Sequence, residues 1–134
     1  MNYFLAKTEP TEYSIDDLKN KNIDTWDGVS NPLAVRFLKS MQPGDKVLIY
    51  HSGKNPHIAG LAQVVGNSRP DSQNKKSWLV DFKFIEKFNT PVTLKEIKES
   101  HLFDDIKLVR QGRLSTMEVP NELVAWLRKK GLNI

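Results

Sequence analysis

One stretch narrows the possible folds more than any other. It is Gly44-Asp45-Lys46-Val47-Leu48-Ile49-Tyr50-His51-Ser52-Gly53, with its return arm Ile58-Ala59-Gly60-Leu61-Ala62-Gln63-Val64-Val65. Pro43-Gly44-Asp45 is a turn signal, because proline pre-sets φ and glycine accepts conformations that other residues avoid. The residues that follow are β-branched, aromatic or apolar at most positions, which predicts a strand. Side chains alternate along a strand, so Val47, Ile49 and His51 share one face and Leu48, Tyr50 and Ser52 the other. Both faces are apolar near the start, which places the strand inside a closed or covered sheet. Its far end changes to Tyr50-His51-Ser52, groups that hydrogen-bond or stack. A strand of this kind describes a core that opens into a pocket.

The other elements are short. Asn2–Lys7 is predicted as a first strand, ended by Pro10, which has no N–H for a ladder. Ser14 caps a short helix with Asp16 and Asp17 in its first turn. Residues 24–32 are predicted as a loop, closed by Asn31 as a helix cap and Pro32 as the first helical residue. Leu33, Ala34, Phe37, Leu38 and Met41 then recur at helical spacing. Residues 67–76 read as a polar loop. Ser77–Phe88 reads as a long strand, Val80, Phe82 and Phe84 on one face and Asp81, Lys83 and Lys87 on the other. Thr93-Leu94-Lys95-Glu96 is a capping box, and residues 101–109 hold a further helical turn. Thr116–Val119 is a short strand. Residues 120–130 form an amphipathic helix that buries Leu123, Val124, Trp126 and Leu127 and stops at Gly131. With no βαβ repeat, the expected fold is α+β, a curled antiparallel sheet flanked by short helices.

At 134 residues the chain is one domain, 1–134, with enough length for a single core. It contains no cysteine, which excludes disulfides, zinc-thiolate sites and a cysteine nucleophile. No apolar run reaches the length of a signal peptide or a membrane span, so a soluble, non-secreted protein without membrane partners is expected. Residues 1–106 carry 14 basic and 14 acidic side chains, while residues 107–134 carry six and two. The whole basic excess therefore lies near the C-terminus, as a polyanion partner requires. Arg128-Lys129-Lys130 also fits the negative end of a helix dipole, whereas Arg110 and Arg113 do not.

His51, His57 and His101 lack ligand spacing, and no phosphate-binding glycine loop or nucleophile elbow occurs, so neither metal nor cofactor is expected. Lys7-Thr8-Glu9 sets a base, a hydroxyl and an acid in a row. Consecutive strand residues point to opposite faces, however, so solvated surface is the plainer reading. What remains is Trp26 with Asp27 and Asn31 nearby, the Tyr50-His51-Ser52 strand end, and the arginines of Leu108–Ser115. Trp26 reads equally well as a core residue or as a pocket wall. A base stacks on an indole for about 1–3 kcal/mol, and arginines near Gly112 offer phosphate contacts. An aromatic slot with a polar edge and cations is what a single-base reader needs.

Taken together, Trp26-Asp27-Gly28-Val29, Asn31, Gly44-Asp45-x-Val47-Leu48-x-Tyr50-His51-Ser52, Ile58-Ala59-Gly60 and Arg110-Gln111-Gly112-Arg113-Leu114-Ser115 resemble the EVE domain of the PUA-like superfamily. The opening Lys7-Thr8-Glu9-Pro10 is similar to that family's K-S-E-P start, and the collinear likeness runs from Tyr3 to about Trp126. The resemblance implies a PUA-like β-barrel with flanking helices and a pocket for a modified nucleobase, a modified cytosine in DNA or an RNA base. It implies a pocket lined by Lys7, Thr8, Trp26, Asp27, Gly28, Val29, Asn31, Tyr50, His51 and Ser52. Arg110, Gln111, Arg113 and Ser115 would meet the nucleic-acid backbone. Ser30, Pro32 and Val35-Arg36 depart from residues common in the family. On this reading the protein is a non-catalytic, monomeric reader, cytoplasmic in a bacterium or nuclear in a eukaryote, and Trp26 is a stacking wall and not mainly a core residue. The alternatives are an ASCH-like amidohydrolase working through Lys7, Thr8 and Glu9, and a protein-interaction adaptor.

Overall fold

Two strands that run side by side in the same direction set the architecture. In the computed structural model, which describes residues 1–134, β1 (Tyr3–Thr8) lies parallel to β3 (Lys46–His51). The register runs from Tyr3 opposite Lys46 to Thr8 opposite His51. Parallel strands need a crossover between them, and this one carries α1 (Ile15–Lys21), β2 (Ile23–Trp26) and α2 (Pro32–Ser40). The sheet is therefore mixed where the sequence predicts antiparallel pairing. Nothing in the apolar pattern of two buried strands records their relative direction.

β4 (His57–Val64) returns antiparallel to β3, and β6 (Asn74–Thr93) pairs antiparallel with both β4 and β2. β7 (Thr116–Glu118) closes the other edge against β1, giving the order β2-β6-β4-β3-β1-β7, while β5 (Arg69–Asp71) forms a hairpin with β6. α3 (Leu94–Ser100), α4 (Lys107–Arg110) and α5 (Asn121–Lys129) complete the chain. The pairing of β6 with β4 slips between Val92 opposite Ile58 and Lys87 opposite Gly60, an irregularity of the kind that bends a strand. α2 packs against both β6 and β7, which are far apart in the sheet order, so the sheet curls around that helix.

The caps form as the sequence predicts. The Ser14 and Asp17 side chains exchange hydrogen bonds with each other's backbone N–H, as do those of Thr93 and Glu96. Asn31 Oδ1 accepts from Leu33 N–H at 3.0 Å and Ala34 N–H at 3.1 Å. Three local expectations are corrected. Residues 23–26 form a strand because Trp26 pairs with Val80 and Ile23 with Lys83, so tertiary pairing overrides a turn-like composition, and the loop begins at Asp27. Part of the 67–76 stretch likewise pairs, with Arg69 opposite Leu79 and Pro70 opposite Trp78. Trp126 is half-buried, edge-on to Phe103 at 5.5 Å with the Lys130 ammonium 5.4 Å from its ring centre.

α1 is seated on the sheet by Ile15, which fills the space that a side chain at Gly60 would occupy. A Cβ on Gly60 would lie 2.5 Å from Ile15 Cδ1 and 2.7 Å from the Glu86 carbonyl oxygen. The first neighbour can rotate away, but the second is backbone. Gly60→Ala is accordingly expected to cost about 1–3 kcal/mol by urea unfolding. A change smaller than about 0.5 kcal/mol would mean that α1 rides freely over β4.

Candidate functional site

At the C-terminal end of the β1–β3 pair the crossover leaves an open cavity of about 490 Å³, a size suited to small ligands. Lys7 and Thr8 reach it from the end of β1, and Ser115 from the segment entering β7. The crossover supplies Glu12, Tyr13, Lys21, Asp24, Thr25 and Trp26, and the loop after β2 supplies Asp27, Gly28 and Val29. Gly28 adopts φ +75°, a conformation that strains any other residue. A second cavity of about 480 Å³ lies against β7 and α5, lined by Tyr3, Leu5, Phe37, Met117 and Leu123 among others. It is the more apolar of the two and holds none of the site residues expected from the sequence.

Trp26 forms the apolar wall, but it is far more buried than a free stacking platform. Only 8% of the residue is exposed. Its ring lies against Phe82, with centres 5.2 Å apart, and meets Tyr13 edge-on at 5.8 Å. The expectation that Trp26 is not mainly a core residue is therefore corrected: it belongs to the core and shows the cavity its remaining surface. β2 alternates, so Asp24 points to the same side as Trp26.

The polar walls are tied down. Tyr13 Oη donates to Asp24 Oδ2 at 2.6 Å, Thr25 N–H donates to Asp24 Oδ1 at 2.9 Å, and Lys21 Nζ lies 3.4 Å from Oδ2. Burial alone would raise the Asp24 pKa, but these donors outweigh it and hold the carboxyl below its ordinary value. The same contact, together with burial, pushes the Tyr13 hydroxyl well above the ordinary range. Lys7 Nζ donates to the Gly112 carbonyl at 3.0 Å and lies 5.5 Å from the centre of the Tyr50 ring, and burial lowers its pKa. Thr8 Oγ1 donates to the Tyr13 carbonyl at 2.8 Å.

A family model for the EVE domain matches residues 2–130. The chain belongs to the EVE-domain family. Human thymocyte nuclear protein 1 is 32% identical over a match covering 74% of this chain and 56% of that protein. The chain thus spans little more than half the length of such relatives. A solved structure of a Pseudomonas syringae protein superposes with TM-score 0.89 at 32% identity, covering 97% of this chain and 99% of that one. Human thymocyte nuclear protein 1, in complex with DNA containing 5-methylcytosine, superposes with TM-score 0.87 at 27% identity over 100% of both chains. An ASCH protein from Zymomonas mobilis, at 12% identity and TM-score 0.58, shares the fold alone.

In this EVE domain the motif residues divide between the cavity and its support. Lys7, Thr8, Trp26, Asp27, Gly28 and Val29 come together around the cavity; Asn31, Tyr50, His51 and Ser52 do not line it. Asn31 caps α2. Tyr50 is 2% exposed, and burial pushes its hydroxyl up to about 12. Ser52 donates to the Thr8 carbonyl through both its N–H (2.9 Å) and its hydroxyl (3.3 Å). Lys7, Thr8 and Glu9 do not converge, since Glu9 accepts from Thr11 instead and lies off the cavity. Arg110 pairs with Asp105 at 3.0 Å. Gln111 and Arg113 line a shallower groove of about 320 Å³ with Asn31, where Arg113 makes no ion pair. Ser115, expected at the backbone, faces the main cavity. Glu12, Tyr13, Lys21, Asp24 and Thr25 were passed over, although the alternation of Asp24 with Trp26 was a signal available in the sequence.

His51 supports the start of α1. Its Nε2 accepts from the Ile15 N–H at 3.0 Å, which fixes a neutral ring at the start of α1. Burial, then the nearby His57, lowers its pKa below the ordinary 6.5, with Asp16 and Glu9 opposing and Lys87 adding to the shift. A histidine kept neutral by folding binds more protons when unfolded, so its contribution is intact above the unfolded value and falls as pH drops below it. Melting temperature should therefore decline from pH 7.5 to 5.5, and His51→Gln should flatten that slope whatever it does to stability itself. Equal slopes for the two proteins would show that His51 is free to take its proton in the fold.

Proposed function

We propose that this EVE domain is a non-catalytic reader that takes one modified base of a nucleic acid into the polar cavity. The observation that carries this reading is the cavity itself, where the Trp26 indole, Lys7 and Asp24 line one open space of about 490 Å³. A base supplies the matching parts, a flat apolar ring with donors and acceptors on its rim. The relative bound to DNA with 5-methylcytosine supports a modified cytosine as the ligand. The buried position of the cavity wall requires the base to be flipped out or single-stranded. Arg113, which makes no ion pair and follows the Gly112 whose carbonyl Lys7 holds, would meet the phosphate backbone as the base enters. The amidohydrolase reading gains no support from Lys7, Thr8 and Glu9, whose side chains serve separate partners.

The test is titration of matched single-stranded and duplex oligonucleotides, DNA and RNA, with and without a modified cytosine. Trp26→Ala is unsuitable as a binding probe because truncating a core aromatic costs about 3–5 kcal/mol of stability. Trp26→Phe retains the core contact, and it should weaken binding of the modified base while leaving an abasic oligonucleotide unaffected. Arg113→Ala should weaken all sequences alike and reduce the salt slope by about one unit. An oligonucleotide bound no better with its base than without it would overturn the reading, and release of free acid from an N4-acylated cytidine would replace it with the hydrolase.

A further inference from the structure

Asp24 is the carboxylate of the cavity, and the reading above gives it no specific partner on the ligand. Its side chain is 24% exposed, so it is reachable, yet its orientation is set by the fold. Three donors hold it: the Tyr13 hydroxyl, the Thr25 N–H and the Lys21 ammonium. An ionised carboxylate offers about four lone-pair sites and no proton, so acceptor capacity remains and donor capacity is absent. Tyr13 also meets the Trp26 ring edge-on, so the group that orients the carboxylate is the one that braces the indole. Lys7 has three N–H groups and uses one on Gly112, which leaves two donors for the same space.

We propose that Asp24 determines the base specificity of the cavity, accepting from the exocyclic amino group of a cytosine and rejecting a base that presents a carbonyl there. The proposal rests on the reader function proposed above. Cytosine carries an amino donor at C4 beside acceptors at N3 and O2, and carboxylates are natural acceptors for that amino group. With the amino group on Asp24, the ring acceptors are left for the free N–H groups of Lys7. Thymine and uracil put a carbonyl at C4, so two acceptors would meet in a partly buried site with no proton between them, and sites built to pair a polar group discriminate strongly against such a partner. Adenine has an amino group but no counterpart of O2 for Lys7. Position C5 lies away from this edge, so a C5 substituent is compatible, whereas double substitution at N4, which removes both N–H donors, is not. The ligand class is therefore cytosine that keeps an N–H donor at N4.

The experiment compares single-stranded DNA oligonucleotides that differ at one base: 5-methylcytosine, thymine, N4,N4-dimethylcytosine and an abasic site. 5-Methylcytosine and thymine share the C5 methyl and differ on the edge that Asp24 would read. The protein should prefer 5-methylcytosine to thymine by roughly ten- to a hundredfold, the range of one good paired base contact. Asp24→Asn keeps an acceptor for Tyr13 but adds an N–H₂ group, and it should bring the two bases to within roughly threefold of each other. In the unaltered protein, N4,N4-dimethylcytosine should bind as weakly as thymine, an outcome that does not depend on the variant folding. Preference for 5-methylcytosine that survives in folded Asp24→Asn, or tight binding of the dimethylated base, overturns the assignment to Asp24 while leaving the reader function in place. Failure to bind any base better than the abasic site overturns both.

Discussion

The parallel alignment of β1 with β3 is the constraint on which the rest depends. Parallel neighbours cannot be joined by a tight turn, so the chain must leave the sheet after Thr8 and return at Lys46. Everything that lines the polar cavity except Lys7 and Thr8 at the end of β1 and Ser115 is carried on that excursion: Glu12 and Tyr13 before α1, Lys21 at its end, Asp24 to Trp26 on β2, and the Asp27–Val29 turn. The antiparallel edge strand β7 then starts where β1 ends, which brings Ser115 to the same place. The cavity is a by-product of strand direction, located where the crossover departs.

Burial and recognition compete for the same aromatic group. Trp26 is held by Phe82 and Tyr13 as a core residue is, and this removes most of its surface from solvent. An indole fixed in this way loses little side-chain freedom when a ligand arrives, because folding has already ordered it. The cost is that recognition and stability cannot be varied separately at this position. Asp24 shows the same coupling in polar form, since the donors that depress its pKa are those that aim it.

Much of this was legible in the sequence, and what was missed has physical reasons. Caps were legible because a Ser, Thr or Asn before an apolar period acts locally, as Ser14, Asn31 and Thr93 do. The apolar run of β3 announced its central position. β2 was hidden because Asp24-Thr25-Trp26-Asp27-Gly28 has the composition of a turn, and only its partner Val80–Lys83 turns it into a strand. His51 and Tyr50 carry the right chemistry for a pocket but were misplaced. A strand pattern gives the face of a side chain and not what lies over it, and here α1 covers His51. Arg128 and Lys130, part of the basic excess, serve the fold by holding Tyr3 and Glu96, so a charge count overstated the patch.

The hydrogen bond from the Lys7 ammonium to the Gly112 carbonyl adds a side-chain tether between the cavity wall and the arginine-bearing segment before β7. Any ligand atom that takes over part of this ammonium alters the tether of that segment, and any force on the segment alters the ammonium offered to the ligand. Thermodynamic reciprocity makes the two effects equal in free energy. A base in the cavity and a phosphate at Arg113 would then be read as one composite message, with one lysine proton as the conjunction between its two words.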